Sequence, residues 1–216
     1  MRMPFLEPDE ERSHIEEHVR SLGDEWAPAG DLEEVLREYL YPYVSNETVA
    51  AEIGVGGGRV AALVAPRVRL LHCIDVSPEM IVHAREKLEG RDNVDFLVVD
   101  EPRLPQEWSA QIDFVYSFDV LVHLDLKTIW RYLLECTRVL RPGGFALIHT
   151  TNLATDLGFE RFDDLPARPF VGQDRFVTPE AVHVLLERSG LEYVKGSKPQ
   201  GDNLYFNRDY VVIANK

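Results

Sequence analysis

Three glycines at alternating positions, Gly54, Gly56 and Gly58, follow Glu52 in the segment EIGVGGGR. The residues before this segment are typical of a short buried strand, and those after it are typical of a helix. Glycines at such a junction let the backbone turn sharply and approach a ligand closely, and the next helix offers unbonded N–H groups. The pattern therefore predicts a site for a nucleotide-like ligand, although a purely structural turn would also use glycine.

Strand-like and helical segments alternate from Glu47 onward. Successive parallel strands need long crossover connections, so this alternation predicts a doubly wound α/β sheet. At the end, LEYVKGSK and NLYFNRDYVVIANK read as two strands joined without a helix, which predicts an antiparallel addition at the sheet edge. The predicted strands are TVAAEI, RLLHCID, VDFLVVD, DFVYSF, FALIHTT and the two final segments, and the predicted crossover helices include SPEMIVHAREKLEG and LKTIWRYLLECTRVL.

The length of 216 residues suits a single domain with a modest extension. We expect one domain over residues 1–216. Its predicted parts are an N-terminal helical extension or cap (1–46), a cofactor-binding core (47–151), a substrate-lid loop (152–177) and a C-terminal helix with strands (178–216). The extension is predicted to hold two helices, roughly Pro8 to Leu22 and Asp31 to Leu40, the second with an apolar face that could pack on the domain.

The glycine segment resembles the first motif of class I S-adenosylmethionine-dependent methyltransferases of the Rossmann-like, small-molecule type. The motif E-x-G-x-G-x-G is matched at Glu52 and the three glycines. The resemblance continues with Asp75 at the end of the second strand, Asp100 at the end of the third, and LRPGG before the fifth, and it covers roughly Val49 to Thr151. It implies a mostly parallel seven-stranded sheet with an antiparallel last strand and S-adenosyl-L-methionine as cofactor.

The resemblance also implies roles for individual residues. The glycines would line the methionine portion of the cofactor, Asp75 would accept both ribose hydroxyls, and Asp100 would meet the adenine amino group. Asp75 could instead cap the following helix, Asp100 could be a solvated turn residue, and Glu52 could be a buried, paired carboxylate. The expected cofactor-binding residues are Glu52, Gly54, Gly56, Gly58, Asp75, Val76, Met80, Asp100, Glu101, Ser117 and Phe118.

Two histidines are candidates for catalysis. A sulfonium methyl group is already activated, so a base is needed only where the acceptor must lose a proton. His123 follows the fourth strand and His149 ends the fifth, so both lie toward the ligand-binding rim of the sheet, although each could simply be a packed, hydrogen-bonded histidine. Asp119, Asp125 and Asn152 could be imagined as metal ligands, but nothing in their spacing requires it, and we expect no metal.

Two segments could cover the acceptor. The stretch from Asn152 to Val177 lacks clear periodicity and is long for a connection in a compact domain, which is typical of a functional loop. Trp26, Tyr41 and Tyr43 in the N-terminal extension could close the other side, although core burial is the ordinary role of large aromatic residues. The loop mixes aromatic and cationic residues at Phe159, Arg161, Phe162, Arg168, Phe170, Arg175 and Phe176.

Composition limits the partners. A net charge of −14 disfavours binding along nucleic-acid phosphates, so a small-molecule acceptor is expected. No run of about 18 apolar residues exists and the N-terminus turns acidic early, which disfavours membrane insertion and export. Cys73 and Cys136 lie within apolar runs without a nearby thiol, which favours buried thiols and a cytoplasmic location.

Two other functions remain open. A nicotinamide-dependent oxidoreductase uses G-x-G-x-x-G or a final alanine, with an acidic residue about 20 positions later. Read from Gly54 the pattern fails at Arg59; read from Gly56 it reaches Ala61, with Asp75 at a tolerable distance. The other alternative is a protein that binds S-adenosylmethionine without transferring its methyl group. Oligomeric state and the acceptor atom, whether oxygen, nitrogen or carbon, stay undetermined.

Overall fold

The computed structural model describes residues 27–165 and 173–216, in which seven strands form one sheet. The strand order is β3-β2-β1-β4-β5-β7-β6, and β7 runs antiparallel to both of its neighbours. The predicted doubly wound, mostly parallel sheet with an antiparallel last strand is confirmed. The strands are β1 Val49–Ile53, β2 Leu70–Asp75, β3 Val94–Val98, β4 Ile112–Ser117, β5 Leu140–Thr151, β6 Glu192–Gly196 and β7 Asp209–Asn215.

Helices cover both faces of this sheet. Along β1, Ala50 belongs to the core on one face, while Ala51 and Ile53 belong to the core on the other. This alternation is expected because successive side chains of a strand point to opposite faces. In the part of the chain that is described, no helix is long and apolar enough to cross a membrane. The helices are α1 Ala29–Tyr39, α2 Arg59–Val64, α3 Pro78–Lys87, α4 Leu126–Val139, α5 Asp156–Asp163, α6 Pro179–Ser189 and α7 Leu204–Arg208.

Helix α1 is an integral part of the core. The predicted apolar face is confirmed, because its residues are at most 4% exposed and pack with α2, α3 and α7 on one side of the sheet. Asn203 links α1 to the segment before α7, since its side-chain amide donates to the carbonyl of Asp31 at 3.0 Å. The residues of this face are Leu32, Val35, Leu36, Tyr39 and Leu40. The predicted helix from Pro8 to Leu22 lies outside the described residues.

Two helices correct the predicted secondary structure. Helix α5 lies inside the stretch that was predicted as a loop, and it begins at Thr155, whose hydroxyl accepts the N–H of Gly158 at 3.1 Å. Helix α7 occupies residues that were predicted to belong to the last strand, and Asn203 caps it by accepting the N–H of Phe206 at 3.3 Å. The strand β7 therefore begins only at Asp209.

The order in which strands are added to the sheet reverses between β1 and β4. Strands β1, β2 and β3 extend the sheet one way, and β4 and β5 extend it the other way. In open α/β sheets, ligands bind in the crevice outside the carboxyl ends of the strands at such a switch point. The antiparallel β7 between β5 and β6 also differs from the 3-2-1-4-5-6 order of dinucleotide-binding sheets.

Candidate functional site

A cavity of ≈ 440 Å³ lies at the switch point. Its walls come from the turn after β1, the ends of β2 and β3, the segment after β4, and helices α2, α3 and α4. Its volume falls within the range of roughly 300–1,000 Å³ that is usual for small-molecule sites. Of the predicted cofactor-binding residues, the lining contains Glu52, Gly54, Gly56, Asp75, Val76, Met80 and Phe118.

The glycine turn after β1 has the backbone that the sequence predicts. Gly54 has φ +78°, and its N–H donates to the carbonyl of Ile74 at 2.8 Å, which ties the turn to β2. A Cβ at Gly54 would overlap the side chain of Val120, whereas one at Gly56 would meet no atom within 4 Å. Gly56 therefore leaves space on the cavity side, and Gly54 lets two loops approach closely.

Gly58, the third glycine of the motif, packs against a neighbouring helix. It lies outside the cavity lining, with φ +85°, and a Cβ there would come within 3.3 Å of the Cα of Ala84 in α3. The residue allows α2 to start directly after the turn and to pack closely against α3.

Asp75 connects the glycine turn to the next helix. One carboxylate oxygen, Oδ2, accepts the N–H of Gly56 at 2.9 Å, and Oδ1 accepts the N–H of Ser77 at 2.9 Å. The helix itself is capped by the Ser77 hydroxyl, which accepts the N–H of Met80 at 3.3 Å. Because each carboxylate oxygen can accept more than one hydrogen bond, Asp75 can hold the turn and still receive two hydroxyl groups from a ligand.

Glu52 is a buried carboxylic acid in the floor of the cavity. It is 1% exposed, and its Oε2 accepts the hydroxyl of Tyr116 at 2.9 Å. Burial raises the pKa of Glu52 to about 8, because the charged form loses its hydration. The Glu52 side chain is therefore predominantly neutral at pH 7. It is hydrogen-bonded to Tyr116, as a buried carboxyl group would be, and it also lines the cavity.

Asp100 and Glu101, which were predicted to bind the cofactor, lie beside the cavity. Both residues are exposed and lie outside the cavity lining, in a shallow depression beside it, while Val99 borders both spaces. Strand β3 ends at Val98 and the chain bends at Asp100, so Asp100 lies beyond the strand end and outside the lining to which Val99 belongs. Ser117 also lies outside the lining, since its hydroxyl donates to the carbonyl of Ile53 at 3.0 Å.

An ion pair that the sequence analysis did not identify forms one wall. Asp119 lines the cavity in a left-handed conformation, with φ +58°, and its Oδ2 is paired with the guanidinium of Arg59. The same Oδ2 accepts the hydroxyl of Tyr205 at 3.0 Å. Arg59 directly follows the glycine motif and starts α2. In the sequence, this position next to the motif is the feature that could have pointed to Arg59 as a residue of the site.

His149 lies beneath the cavity wall and is 0% exposed. Its Nδ1 accepts the backbone N–H of Asp119 at 3.0 Å, and its ring stacks on Phe118 with centroids 4.3 Å apart. On the other side, Nε2 is 3.4 Å from Oδ2 of Asp209. The structure thus places this predicted catalytic histidine outside the lining, where it supports the loop that carries Asp119.

His123, the other predicted catalytic histidine, lines the cavity. Its Nδ1 is 3.3 Å from Oδ1 of Asp174, and the other oxygen of Asp174 is paired with Nε of Arg161. Burial lowers the pKa of His123, and the negative charge of Asp174 opposes part of that shift. Asp174 lies in the stretch predicted as a lid, but the sequence analysis did not single it out.

Of the aromatic residues expected to cover the acceptor, those within the described part of the chain lie outside the cavity lining. Phe162 contacts Phe159 and Phe176, with ring centroids 5.9 Å and 5.4 Å apart. Tyr43 packs on Phe145 at 4.8 Å, in the core. None of these described residues lines the cavity. Trp26, Arg168 and Phe170 lie outside the described residues.

The residues considered as metal ligands have other partners. Asp125 caps α4 by accepting the N–H groups of Lys127 and Thr128, at 2.9 Å and 3.0 Å. Asn152 accepts the N–H of Ala154 at 3.0 Å. Across residues 27–165 and 173–216, no group of three or more His, Cys, Asp or Glu residues is arranged to hold a metal ion.

Comparison with known proteins identifies relatives of the cavity-forming region. Residues 51–148 match the family described as a methyltransferase domain. A Mycolicibacterium smegmatis protein named "Probable S-adenosylmethionine-dependent methyltransferase" is 33% identical over 141 residues, which cover 65% of this chain and 51% of that protein. A "Ubiquinone biosynthesis O-methyltransferase" of Xanthomonas oryzae is 30% identical over 102 residues, covering 47% and 42%. The chain spans about half the length of the curated relatives it matches.

Solved structures share the fold. The N-methyltransferase NodS from Bradyrhizobium japonicum, determined with S-adenosyl-L-homocysteine, superposes with a TM-score of 0.68. The match covers 94% of this chain and 97% of that one at 19% identity. This chain and that methyltransferase therefore share their fold over most of both chains.

Proposed function

Because the chain belongs to the class I S-adenosylmethionine-dependent methyltransferase family, we propose that it binds S-adenosyl-L-methionine and transfers the methyl group to a small-molecule acceptor. The observation that carries this proposal is the cavity, where the glycine turn and Asp75 meet at the carboxyl ends of the strands. When bound, the cofactor would supply an activated methyl group on a sulfonium sulfur. The protein's main contribution would be to align the acceptor with that methyl group.

The residues of the cavity fit this cofactor. Gly54 and Gly56 leave room for its methionine portion, and Asp75 presents two oxygens to the hydroxyls of a ribose. Val76, Met80 and Val99 offer apolar surface for an adenine ring. These lining residues are the proposed cofactor contacts, within a core that we assign to residues 47–151.

Three observations support a small acceptor. The relative from Xanthomonas oryzae is named for a step in ubiquinone biosynthesis, in which a small molecule is methylated. The net charge of −14 opposes tracking of nucleic-acid phosphates. The cavity is concave and its lining includes the apolar side chains of Phe118, Val120 and Tyr132, which suits a compact ligand. The buried thiols of Cys73 and Cys136 agree with a reducing compartment such as the cytoplasm.

A labelling experiment tests the proposal. The purified protein is incubated with methyl-tritiated S-adenosylmethionine and a cell extract that has been separated into small metabolites, polypeptides and nucleic acids. We expect label in the small-metabolite fraction, and we expect the Gly56→Val variant to lose it because its side chain would enter the cavity. Label confined to polypeptides or nucleic acids would contradict the proposed acceptor class.

A further inference from the structure

His123 and Asp174 form a paired histidine and carboxylate at the cavity wall. Nδ1 of His123 is 3.3 Å from Oδ1 of Asp174, which is within ion-pair distance but lacks the alignment of a hydrogen bond, and the carboxylate is only 4% exposed. The two residues are far apart in sequence, so the pair depends on how the segment after α5 packs against the turn that carries His123. A carboxylate beside Nδ1 favours the neutral tautomer with the proton on Nδ1, which leaves Nε2 as the basic nitrogen.

The segment that carries Asp174 is fixed at several points. The N–H of Arg175 donates to the carbonyl of Val122 at 2.6 Å, which joins it directly to the His123 turn. The hydroxyl of Thr151 donates to the carbonyl of Arg175 at 2.8 Å and accepts the N–H of Val177 at 3.1 Å. Arg161 of α5 pairs with the second oxygen of Asp174. The backbone next to Asp174 is therefore anchored by Val122 and Thr151, and its carboxylate is paired with Arg161.

We propose that His123, oriented by Asp174, is the general base of the reaction, and that the acceptor is a molecule that is methylated on a hydroxyl group. The inference rests on the proposed function and deepens it, since it assigns the acceptor atom. Asp174 and Arg161 are positioning residues, because they act through His123.

The chemistry of the acceptor atom connects the base to a hydroxyl group. A neutral amine has a lone pair ready to attack and can lose its proton to water afterwards, whereas a hydroxyl group is a poor nucleophile until its proton is removed. The acceptor oxygen would form a bond to the methyl carbon, the bond from that carbon to sulfur would break with its electron pair remaining on sulfur, and the hydroxyl proton would pass to Nε2 of His123. The products are the methyl ether, S-adenosylhomocysteine and a protonated imidazole.

The surroundings of His123 keep it ready to accept a proton. Among the described residues, the charged or titratable groups that influence it include Asp174, Arg161, Asp119 and His149. Burial is the largest influence and lowers the pKa of His123 below its ordinary value of 6.5, so the ring is mostly neutral at pH 7. Asp174 would then stabilise the imidazolium that forms when the proton is transferred.

The first test needs no acceptor. In nitrogen-15 spectra of the histidine-labelled protein, with His123 assigned by a His123→Asn variant, we expect the Nδ1–H tautomer and a pKa below 6.5 for this ring. Asp174→Asn should lower that pKa further, because the carboxylate that favours the charged form is gone. Asp95→Asn is the matched control, since Asp95 pairs with His72 at 3.5 Å outside the cavity lining, and it should leave His123 unchanged. An Nε2–H tautomer, or no response to Asp174→Asn, would overturn the proposal.

The second test measures S-adenosylhomocysteine formation with a panel of phenols and catechols beside a panel of primary and secondary amines. We expect turnover of hydroxyl acceptors, with kcat of His123→Asn lowered about 100-fold or more and KM changed only a few-fold. The wild-type kcat should decline at acidic pH as His123 becomes protonated, and this decline should move to lower pH in Asp174→Asn. The control His72→Gln should match the wild type. Turnover of amines alone, or full activity of His123→Asn, would overturn the proposal.

Failure of this inference can be distinguished from failure of the proposed function. S-adenosylhomocysteine binding to the wild-type protein, measured by calorimetry, tests the proposed function without involving the base. This binding should be unchanged in Asp174→Asn, because Asp174 lies outside the cavity lining. A wild-type protein that binds the nucleoside but shows the wrong tautomer would retain the proposed function and lose only the inference. A wild-type protein that binds no nucleoside would lose both.

Discussion

Individual residues of the glycine turn have separable roles. Gly54 and Gly56 both adopt positive φ, but only a side chain at Gly54 would meet a neighbour, the isopropyl group of Val120. Gly56 faces open space within the cavity lining. The first glycine is therefore needed for packing and the second for ligand access, and alanine at the two positions should have different effects.

We predict that Gly54→Ala is the more destabilising substitution. Left-handed backbone costs roughly 1–2 kcal/mol for alanine at either position, and the overlap with Val120 adds roughly 1–3 kcal/mol at Gly54. Urea denaturation measures the difference. Val120→Ala should recover part of the loss in the Gly54→Ala background and none in the Gly56→Ala background. Equal stability of the two glycine variants would contradict the assigned roles.

Glu52 gives the folded protein a measurable pH dependence. Its pKa is raised from 4.5 to about 8 by burial, so the folded state holds a proton that the unfolded state releases above about pH 5. Because the folded state binds more protons in this window, the contribution of Glu52 to stability falls as the pH rises from about 5 to 8.

We predict that Glu52→Gln removes this pH dependence. Glutamine cannot ionise, and its carbonyl oxygen can still accept the hydroxyl of Tyr116. The melting temperature of the variant, relative to that of the wild type, should therefore rise steadily between pH 5 and pH 8. Glu47→Gln, at an exposed position, is the control. A difference between the wild-type and Glu52→Gln melting temperatures that stays constant from pH 5 to pH 8 would refute the prediction.

At the level of elements, the sequence predicts the parts that have strong local signals. The strands of the parallel sheet are short apolar runs, and α3 has Ser77 as its cap with Pro78 in its first turn. Helix α7 was missed because it is a single turn, too short for helical periodicity, and its aromatic residues favour strands. Helix α5 was missed because apolar residues such as Phe159 and Phe162 are half exposed, so no buried face marks it. The caps Asn203 and Thr155 were the available signals.

The anchoring of the segment after α5 gives a prediction for Thr151. Thr151→Val removes a buried hydroxyl that bonds the backbone at both Arg175 and Val177, which should cost about 1–3 kcal/mol. Hydrogen exchange at the Val177 amide should become faster, because its acceptor is gone, while Thr151→Ser should retain the protection. An equally protected Val177 amide in Thr151→Val would show that the segment is held by other contacts.

Across the whole molecule, the sequence predicts where the site lies better than which side chains complete it. The glycine motif and Asp75 were predictable because each is fixed by its own strand end. The pairs of Arg59 with Asp119 and of His123 with Asp174 join distant parts of the chain, so their contacts depend on the packed fold. His149 lies near the end of β5 and His123 lies in the turn after β4, and only the structure shows that His149 is buried against Phe118 while His123 lines the cavity.

One measurement tests most directly whether this cavity binds a methyltransferase cofactor. It is calorimetric titration of the purified protein with S-adenosylhomocysteine and S-adenosylmethionine. We predict binding of one equivalent of each to the wild type. Binding should be lost in Asp75→Ala, which removes the carboxylate that holds the glycine turn and faces the cavity. NAD, as the control ligand, should not bind. Absence of binding by either sulfur nucleoside, or binding of NAD alone, would contradict the assignment of this cavity to a methyltransferase cofactor.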